Sequence, residues 1–216
     1  NDHKEIARTY SSVSRWMFIL SLPVLFTVLF FSEEILKILF GEAYISGAFA
    51  LQILILAYFA RVVAGPAPQA LMTFNKTKLL FYINSIAAII NFVLNYILIP
   101  KYGLIGAAIA TAPSLLFRDC TLFIFAKVKL QFKYSLKLYF KYFVSAISPI
   151  LIIFFFIKEK IEINLFTLIM IIIVYLIIYF TLLIILQSFT EDDLMIICAI
   201  EKKTGISLKL IKKLIK

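Results

Sequence analysis

Three charged side chains lie inside long apolar stretches of the sequence. Arg61 lies near the middle of one stretch, and the neighbours Arg118 and Asp119 lie in another. A charge at the centre of a bilayer costs upward of ~2.5 kcal/mol, so it normally faces the interior of a helix bundle or a water-filled path. The residues alone leave two interpretations open. Asp119 forms a structural ion pair with Arg61 or with Arg118, or the three line a cavity that binds an anionic substrate, because a guanidinium holds phosphate through two parallel hydrogen bonds.

Three asparagines form a second polar feature. Asn84, Asn91 and Asn95 are separated by seven and four residues, a spacing that places them on one face of an α-helix. A neutral amide serves equally well as a hydrogen-bonding contact between helices and as the lining of a wet cavity. In the second case the asparagines join the three charged residues as candidates for substrate binding.

A cluster of helix-breaking residues interrupts the stretch that contains Arg61. Gly65, Pro66 and Pro68 occur within four positions. Proline is ordinary in membrane helices, where neighbouring groups satisfy the carbonyl that it leaves without a donor. A glycine followed by two prolines in mid-helix predicts more than that, namely a break or hinge.

The sequence contains no group of residues suited to catalysis. We find no membrane-embedded pair of carboxylates, no nucleophile motif and no phosphate-binding loop, and one histidine and two cysteines leave little room for metal or disulfide chemistry. We therefore expect no catalytic residue, no metal and no cofactor.

The elements that position these residues are membrane helices. Hydrophobic residues make up 63% of the chain, and the mean hydropathy is +1.02. A helix needs about 20 apolar residues to cross a bilayer, and six stretches reach or approach that length. The sequence thus predicts an all-α, polytopic membrane protein with a bundle of six transmembrane helices. The stretches are Trp16–Phe31, Ala48–Met72, Leu79–Ile99, Leu104–Ala126, Tyr139–Ile157 and Leu165–Leu186.

Positive charge alternates between the loops. Of the 22 lysines and arginines, sixteen lie in or beside the N-terminal segment, the loops after the second and fourth stretches and the C-terminal tail. Cytoplasmic loops carry such an excess, so the chain is expected to be multi-pass in the cell membrane with both ends in the cytoplasm. The net charge of +10 then indicates contact with anionic membrane lipids, and nucleic acid is not needed to explain it.

Three regions are expected along the chain. Residues 1–15 form a cytoplasmic connector from a missing preceding lobe, and residues 16–187 form the six-helix bundle. Residues 188–216 form a basic amphipathic tail, in which lysines and apolar residues alternate with helical spacing. Within the bundle, the small residues that open the fourth stretch predict close helix packing. The sixth stretch, apolar on all sides, predicts a peripheral helix.

A series of short motifs follows in order over about 90 residues, from Ile35 to Ala126. Together they resemble the polysaccharide flippases of the multidrug/oligosaccharidyl-lipid/polysaccharide exporter superfamily, and specifically their C-terminal lobe. The motifs are Glu34–Tyr44, Ser46–Ala48, Phe74–Thr77, Ile90–Asn95, Leu98–Gly103 and Gly106–Ala112.

The resemblance implies one lobe of a MATE-like, two-lobed transporter. Such proteins move lipid-linked oligosaccharide, a polysaccharide precursor, to the outer leaflet by alternating access, and cationic residues of the cavity receive its phosphate. Arg61 and Arg118 match such residues by location and chemistry. The chain departs from the family in lacking a first lobe, so the implied partners are the lipid-linked substrate, membrane lipids and a missing N-terminal lobe.

Two other functions are compatible with the sequence. An ion-coupled multidrug exporter of the same superfamily needs a membrane-embedded acid, and Asp119 is the residue that qualifies. A membrane-embedded glycan-assembly enzyme is the second, but it would need larger external loops than the short ones found here.

Overall fold

The computed structural model of the chain describes residues 2–132, 135–157 and 163–188. These residues form helices and short connections, without a β-strand in the described ranges. A short 3₁₀ helix, Glu42–Gly47, joins the second helix to the third. The α-helices are α1 (Asp2–Phe30), α2 (Ser32–Phe40), α3 (Ala48–Ala64), α4 (Ala67–Thr73), α5 (Thr77–Leu130), α6 (Leu136–Ile157) and α7 (Leu165–Ile185).

The longest helix, α5, is a hairpin of two membrane-spanning arms. Its 54 residues would extend about 81 Å if straight, more than twice the thickness of the hydrocarbon core. Gly103 interrupts it with a non-helical backbone (φ 56°, ψ −129°). Asn91 and Thr111, 20 residues apart, are joined by a hydrogen bond, which is possible only if the chain folds back on itself. We call the arms α5a (residues 77–102) and α5b (residues 104–130).

The prediction of a six-helix membrane bundle is confirmed. The described residues contain five helical segments that are long and apolar enough to cross a membrane, and one of them is the α5 hairpin with its two arms. The crossings are therefore α1, α3 with α4, α5a, α5b, α6 and α7, in the order that the six stretches predict. The fold is that of a polytopic all-α membrane protein.

Small residues bring the arms of the hairpin together, as predicted. Gly106, Ala108 and Ala110 are all buried. A β-carbon at Gly106 would collide with the backbone carbonyl of Leu98 in the opposite arm. The absence of a side chain at this position therefore allows the two backbones to meet just beyond the turn.

Helix α1 lies at the centre of the structure and contributes to two cores. In the first core its residues pack with α6 and α7, and in the second core Tyr10 packs with α4 and both arms of α5. The described part of the predicted connector, residues 2–15, is helical and continuous with the rest of α1. Its cytoplasmic location stays a prediction, and the predicted tail lies outside the described residues except for Ser188.

Helix α7 is peripheral, as its sequence predicts. One face is buried against α1 and α6, and the remaining surface exposes large apolar side chains. The buried face repeats at intervals of three and four residues, which is the spacing of a single helix face. Its residues are Leu168, Ile171, Tyr175, Tyr179 and Leu183.

A tyrosine of α7 satisfies a carbonyl that a proline leaves without a donor. Pro23 lies inside α1 and has no N–H to give to the carbonyl four residues before it, that of Ile19. The hydroxyl of Tyr179 donates a hydrogen bond of 2.9 Å to this carbonyl. The contact joins residues 160 positions apart in the chain, so it also fixes α7 against α1.

Two further buried tyrosines also donate hydrogen bonds to backbone carbonyls of another segment. The Tyr175 hydroxyl donates to the carbonyl of Ala146 in α6, and the Tyr142 hydroxyl donates to the carbonyl of Ser188 beyond α7, both at 2.9 Å. In each case the ring is buried in the first core, and the hydroxyl joins α6 to α7 or to the residue just beyond the turn that follows it.

Removal of the Tyr179 hydroxyl is expected to destabilise the bundle. In Tyr179→Phe the buried carbonyl of Ile19 loses its donor, so the free energy of unfolding should fall by about 1–3 kcal/mol. Tyr58→Phe is the matched control, because Tyr58 is exposed and forms no hydrogen bond within the described part of the chain. Unfolding by SDS titration in mixed micelles measures both variants, and equal losses would contradict the assignment.

Candidate functional site

Polar residues join the two arms of the α5 hairpin. The amide nitrogen of Asn91 on α5a donates to the hydroxyls of Thr111 and Ser114 on α5b, both at 3.3 Å. Those hydroxyls donate in turn to backbone carbonyls of their own helix, those of Ala107 and Thr111. For Asn91 the geometry therefore favours the interhelical contact over the lining of a cavity.

The other two asparagines differ from each other. The amide of Asn95 donates to the backbone carbonyl and to the side-chain oxygen of Asn91, at 2.9 and 3.0 Å, and so extends the network along α5a. Asn84, two turns away, is exposed and makes no hydrogen bond to any residue that the structure describes. Of the three, Asn84 is the one whose amide remains open for a ligand.

Arg118 and Asp119 form an ion pair within the bundle. The guanidinium Nε and Nη2 of Arg118 donate to the two carboxylate oxygens of Asp119 at 2.9 and 3.0 Å. Asp119 is 3% exposed and lies on the buried face of α5b, one turn from Leu115 and one turn from Leu122. A bidentate bond of this kind compensates a carboxylate that an apolar surrounding would otherwise destabilise.

Arg61 has no such partner. It lies in the last turn of α3, is exposed, and makes no hydrogen bond or ion pair with a residue in the described ranges. Of the two structural pairs that the sequence allows for Asp119, the structure therefore forms the one with Arg118. The three intramembrane charges leave one positive charge, that of Arg61, uncompensated.

A pair of grooves follows the side of α1 that faces α3 and α4. The smaller, of about 220 Å³, lies between α1 and α3 and is lined by Leu20, Val24 and Tyr58 among others. The larger, of about 510 Å³, lies between the N-terminal half of α1 and α4. Arg61 follows Tyr58 by three residues, so both lie on the same face of α3.

The hairpin determines where Arg118 and Asn84 lie relative to each other. Arg118 lies one turn beyond Ser114 on α5b, and Asn84 lies two turns before Asn91 on α5a, so the antiparallel arms place both toward the same end of the hairpin. The sequence analysis did not identify Thr111 and Ser114 as members of this network, although their spacing of three on the helix rich in small residues was a usable signal.

No group of three or more His, Cys, Asp or Glu suited to a metal occurs among the described residues.

Gly65 and Pro66 break the helix where the sequence predicts a break. Helix α3 ends at Ala64, Gly65 adopts φ +63° and ψ −155°, and α4 begins at Ala67. The break ends α3 within one turn after Arg61. That it works as a hinge stays a prediction.

The two arginines are expected to differ in their effect on stability. Arg118→Ala leaves the buried carboxylate of Asp119 unpaired and should lower the free energy of unfolding by about 3 kcal/mol. Arg61→Ala removes no contact within the described residues and should change it by less than about 0.5 kcal/mol. The double variant Arg118→Met, Asp119→Leu is a further control, because apolar residues of similar volume should recover most of the loss. A loss in Arg61→Ala as large as that in Arg118→Ala would contradict this assignment.

The sequence of this chain is similar to one family model and to two curated relatives. Residues 1–97, from α1 to the greater part of α5a, match the MatE family model. The chain is 34% identical over 110 residues to the "Putative O-antigen transporter" of Shigella flexneri, a match that covers 50% of this chain and 26% of the relative. It is 33% identical over 117 residues to the "Probable low-salt glycan biosynthesis flippase Agl15" of Haloferax volcanii, covering 53% of this chain and 24% of the relative.

These matches agree with the motifs of the sequence. The matched segments span about a quarter of the length of each relative. No solved structure matches the chain. The family match includes the motifs up to residue 97 and extends the similarity back to the start of α1. The comparisons therefore confirm that this chain resembles the flippases of the multidrug/oligosaccharidyl-lipid/polysaccharide exporter superfamily.

Proposed function

We propose that this chain is the C-terminal half of a flippase that moves lipid-linked oligosaccharide across the cytoplasmic membrane by alternating access. Support comes from the names of the two relatives, which refer to O-antigen transport and to a flippase of glycan biosynthesis. Arg61 is the residue on which the proposal depends, because its charge is exposed in a membrane helix and is not compensated by any residue in the described ranges. Its missing partners are an N-terminal lobe and the lipid-linked substrate.

The chemistry of Arg61 suits an anionic head group. A charged side chain within a membrane span faces a bundle interior or a water-filled space, because lipid solvates it poorly. Its exposed side chain bonds no residue in the described ranges and can receive a phosphate oxygen, whereas the guanidinium of Arg118 already bonds Asp119. Within the proposed site, Arg61 is therefore the residue that binds the phosphate of the substrate.

The other proposed substrate-binding residues have different roles in this site. Asn84 has an open amide, which suits the hydroxyl groups of a sugar. Asn91 and Asn95 hold the hairpin together through their hydrogen-bond network. The guanidinium of Arg118 neutralises the buried carboxylate of Asp119 on α5b. In this proposal the asparagine network and the ion pair keep α5 rigid while the substrate contacts Arg61 and Asn84.

The geometry favours this function over an ion-coupled drug exporter. Such an exporter would use Asp119 to take up and release the coupling ion. Both oxygens of that carboxylate accept hydrogen bonds from Arg118, and the side chain is almost fully buried. The pair leaves the carboxylate without an open coordination position in this conformation.

The function is tested by deletion of the complete gene in its host. We expect loss of surface glycan, with lipid-linked sugar precursors retained on the cytoplasmic face of the membrane. Accessibility of the precursors to an impermeant sugar-oxidising reagent, in intact and in opened cells, measures the sidedness. Unchanged surface glycan would contradict the proposal and direct attention to drug efflux.

The role of Arg61 is tested in the complete protein. Loss of a charge-assisted hydrogen bond of about 1.5–3 kcal/mol corresponds to a reduction of roughly 10–150-fold in substrate transport for Arg61→Ala. Arg61→Lys retains the charge without the planar fork and should give an intermediate rate. The rate is measured as the appearance of precursor on the outer face.

A control variant separates the site from general charge effects. Lys101→Ala removes an exposed positive charge at the far end of α5a, beside the hairpin turn, and should leave transport unchanged. If Arg61→Ala retained the transport rate of the unaltered protein, or if Lys101→Ala lost as much, the assignment of the phosphate site to Arg61 would be wrong.

A further inference from the structure

The two grooves along α1 lie on either side of a close contact between α1 and α3. A β-carbon at Gly65 would collide with the hydroxyl oxygen of Ser14, so the two helices touch at this point. The groove of about 510 Å³ is lined on α1 by residues within 5–13, before the contact. The groove of about 220 Å³ is lined on α1 by residues within 20–25, after it.

A hydrogen bond fixes α1 and α3 beside this contact. Pro68 has no N–H to give to the carbonyl of Ala64, four residues before it. The hydroxyl of Tyr10 donates to this carbonyl instead. The boundary between the two grooves is therefore held by packing and by a buried hydrogen bond.

Arg61 lies at the boundary between the grooves. Tyr58 and Val62, close to it on α3, line the smaller groove, and Pro66, five residues further on, lines the larger one. The guanidinium is exposed and bonds no residue in the described ranges. A phosphate held by Arg61 would thus have one groove on each side along α1.

The larger groove has polar side chains on both walls. Glu5 and Thr9 line it from α1, and Gln69 lines it from α4. These three side chains make no hydrogen bond to a residue that the structure describes. A carboxylate accepts hydrogen bonds, and a hydroxyl and an amide both donate and accept them. The set suits the hydroxyl groups of a sugar, whereas the carboxylate of Glu5 would repel a phosphate.

The smaller groove is almost entirely apolar. Apart from Ser21 and the hydroxyl of Tyr58, its lining side chains carry no polar atom, and Leu20 and Ile55 are among them. A sugar or a phosphate would lose hydrogen bonds to water there without replacing them. The lining favours a hydrocarbon chain.

We propose that the two grooves and Arg61 bind one amphiphilic substrate in a fixed direction. The first sugars lie in the larger groove, the phosphate lies at Arg61, and the adjoining hydrocarbon of the lipid carrier lies in the smaller groove. This assignment rests on the proposed function and adds the order of the three subsites. From Val13 in the larger groove to Leu20 in the smaller one, α1 rises about 10 Å, which leaves room for the phosphate between sugar and chain.

Photo-crosslinking in the complete protein, in membranes, tests this order. The photoreactive residue p-benzoylphenylalanine replaces Leu20 in the smaller groove or Gln69 in the larger one, and both positions are exposed and can accept it. One probe is a long-chain isoprenoid phosphate without a sugar, and the other is a hexose phosphate without a hydrocarbon, supplied at millimolar concentration. The isoprenoid phosphate should crosslink several-fold more at position 20, and the hexose phosphate several-fold more at position 69. Equal crosslinking at both positions, the reverse order, or no hexose crosslink at position 69 would overturn the proposal.

Two controls separate bound probe from probe dissolved in the bilayer. Ile177 on α7 is exposed and apolar but lies outside both grooves, so the same photoreactive residue there measures bulk contact. Crosslinking of the isoprenoid phosphate at position 20 should exceed this level several-fold. Arg61→Ala should lower it to the bulk level and should also lower hexose crosslinking at position 69, whereas Lys101→Ala should change neither. Crosslinking that does not depend on Arg61 would overturn the shared phosphate site.

Failure of the subsites and failure of the proposed function give different results. Loss of surface glycan on gene deletion, together with crosslinks that do not depend on Arg61, would overturn the subsites and leave the function standing. Ordered crosslinks that depend on Arg61, together with unchanged surface glycan, would support the subsites and overturn the function.

Discussion

The need to satisfy every backbone carbonyl in hydrocarbon determines how these helices fit together. No water is available inside a bilayer, so a proline in a membrane helix leaves a carbonyl that another group must bond. Pro23 and Pro68 each create such a carbonyl, at Ile19 and at Ala64. Tyrosine hydroxyls from α7 and α1 reach them, and each thereby fixes one helix against another. The prolines that remove these donors therefore also lead to contacts between helices.

The charged and amide side chains obey the same constraint. Asp119 is buried on an apolar helix face, and the neighbouring Arg118 satisfies both of its oxygens. Asn91 bonds two hydroxyls across the hairpin, and these in turn bond carbonyls. Asp119 and Asn91 thus each belong to a closed set of polar groups. The open groups, Arg61 and Asn84, stand out because they lack such a set, and this is the reason to place the ligand there.

The sequence predicts local features of this fold well and the contacts between distant helices poorly. Apolar length predicts the six crossings, and the break at Gly65 follows from one glycine and two prolines. The choice of Arg118 over Arg61 as partner of Asp119 depends on how α3 and α5b are rotated, which no local pattern encodes. The bond between Tyr179 and Ile19 spans 160 residues and depends on the depth of α7 in the bundle. The surroundings of the three asparagines differ because α5 folds back at Gly103 and places Thr111 and Ser114 opposite Asn91.

The open charge of Arg61 lies close to the break between α3 and α4. Arg61 lies one turn before Gly65, and the bond from Tyr10 fixes the carbonyl of Ala64 between them. Helix α1 thus holds the last turn of α3, which carries the guanidinium. In the proposed transport cycle, the head group would be bound in one conformation and released in another. A movement between α1 and α3 would therefore reach Arg61, the proposed phosphate-binding residue, through the backbone of this single turn.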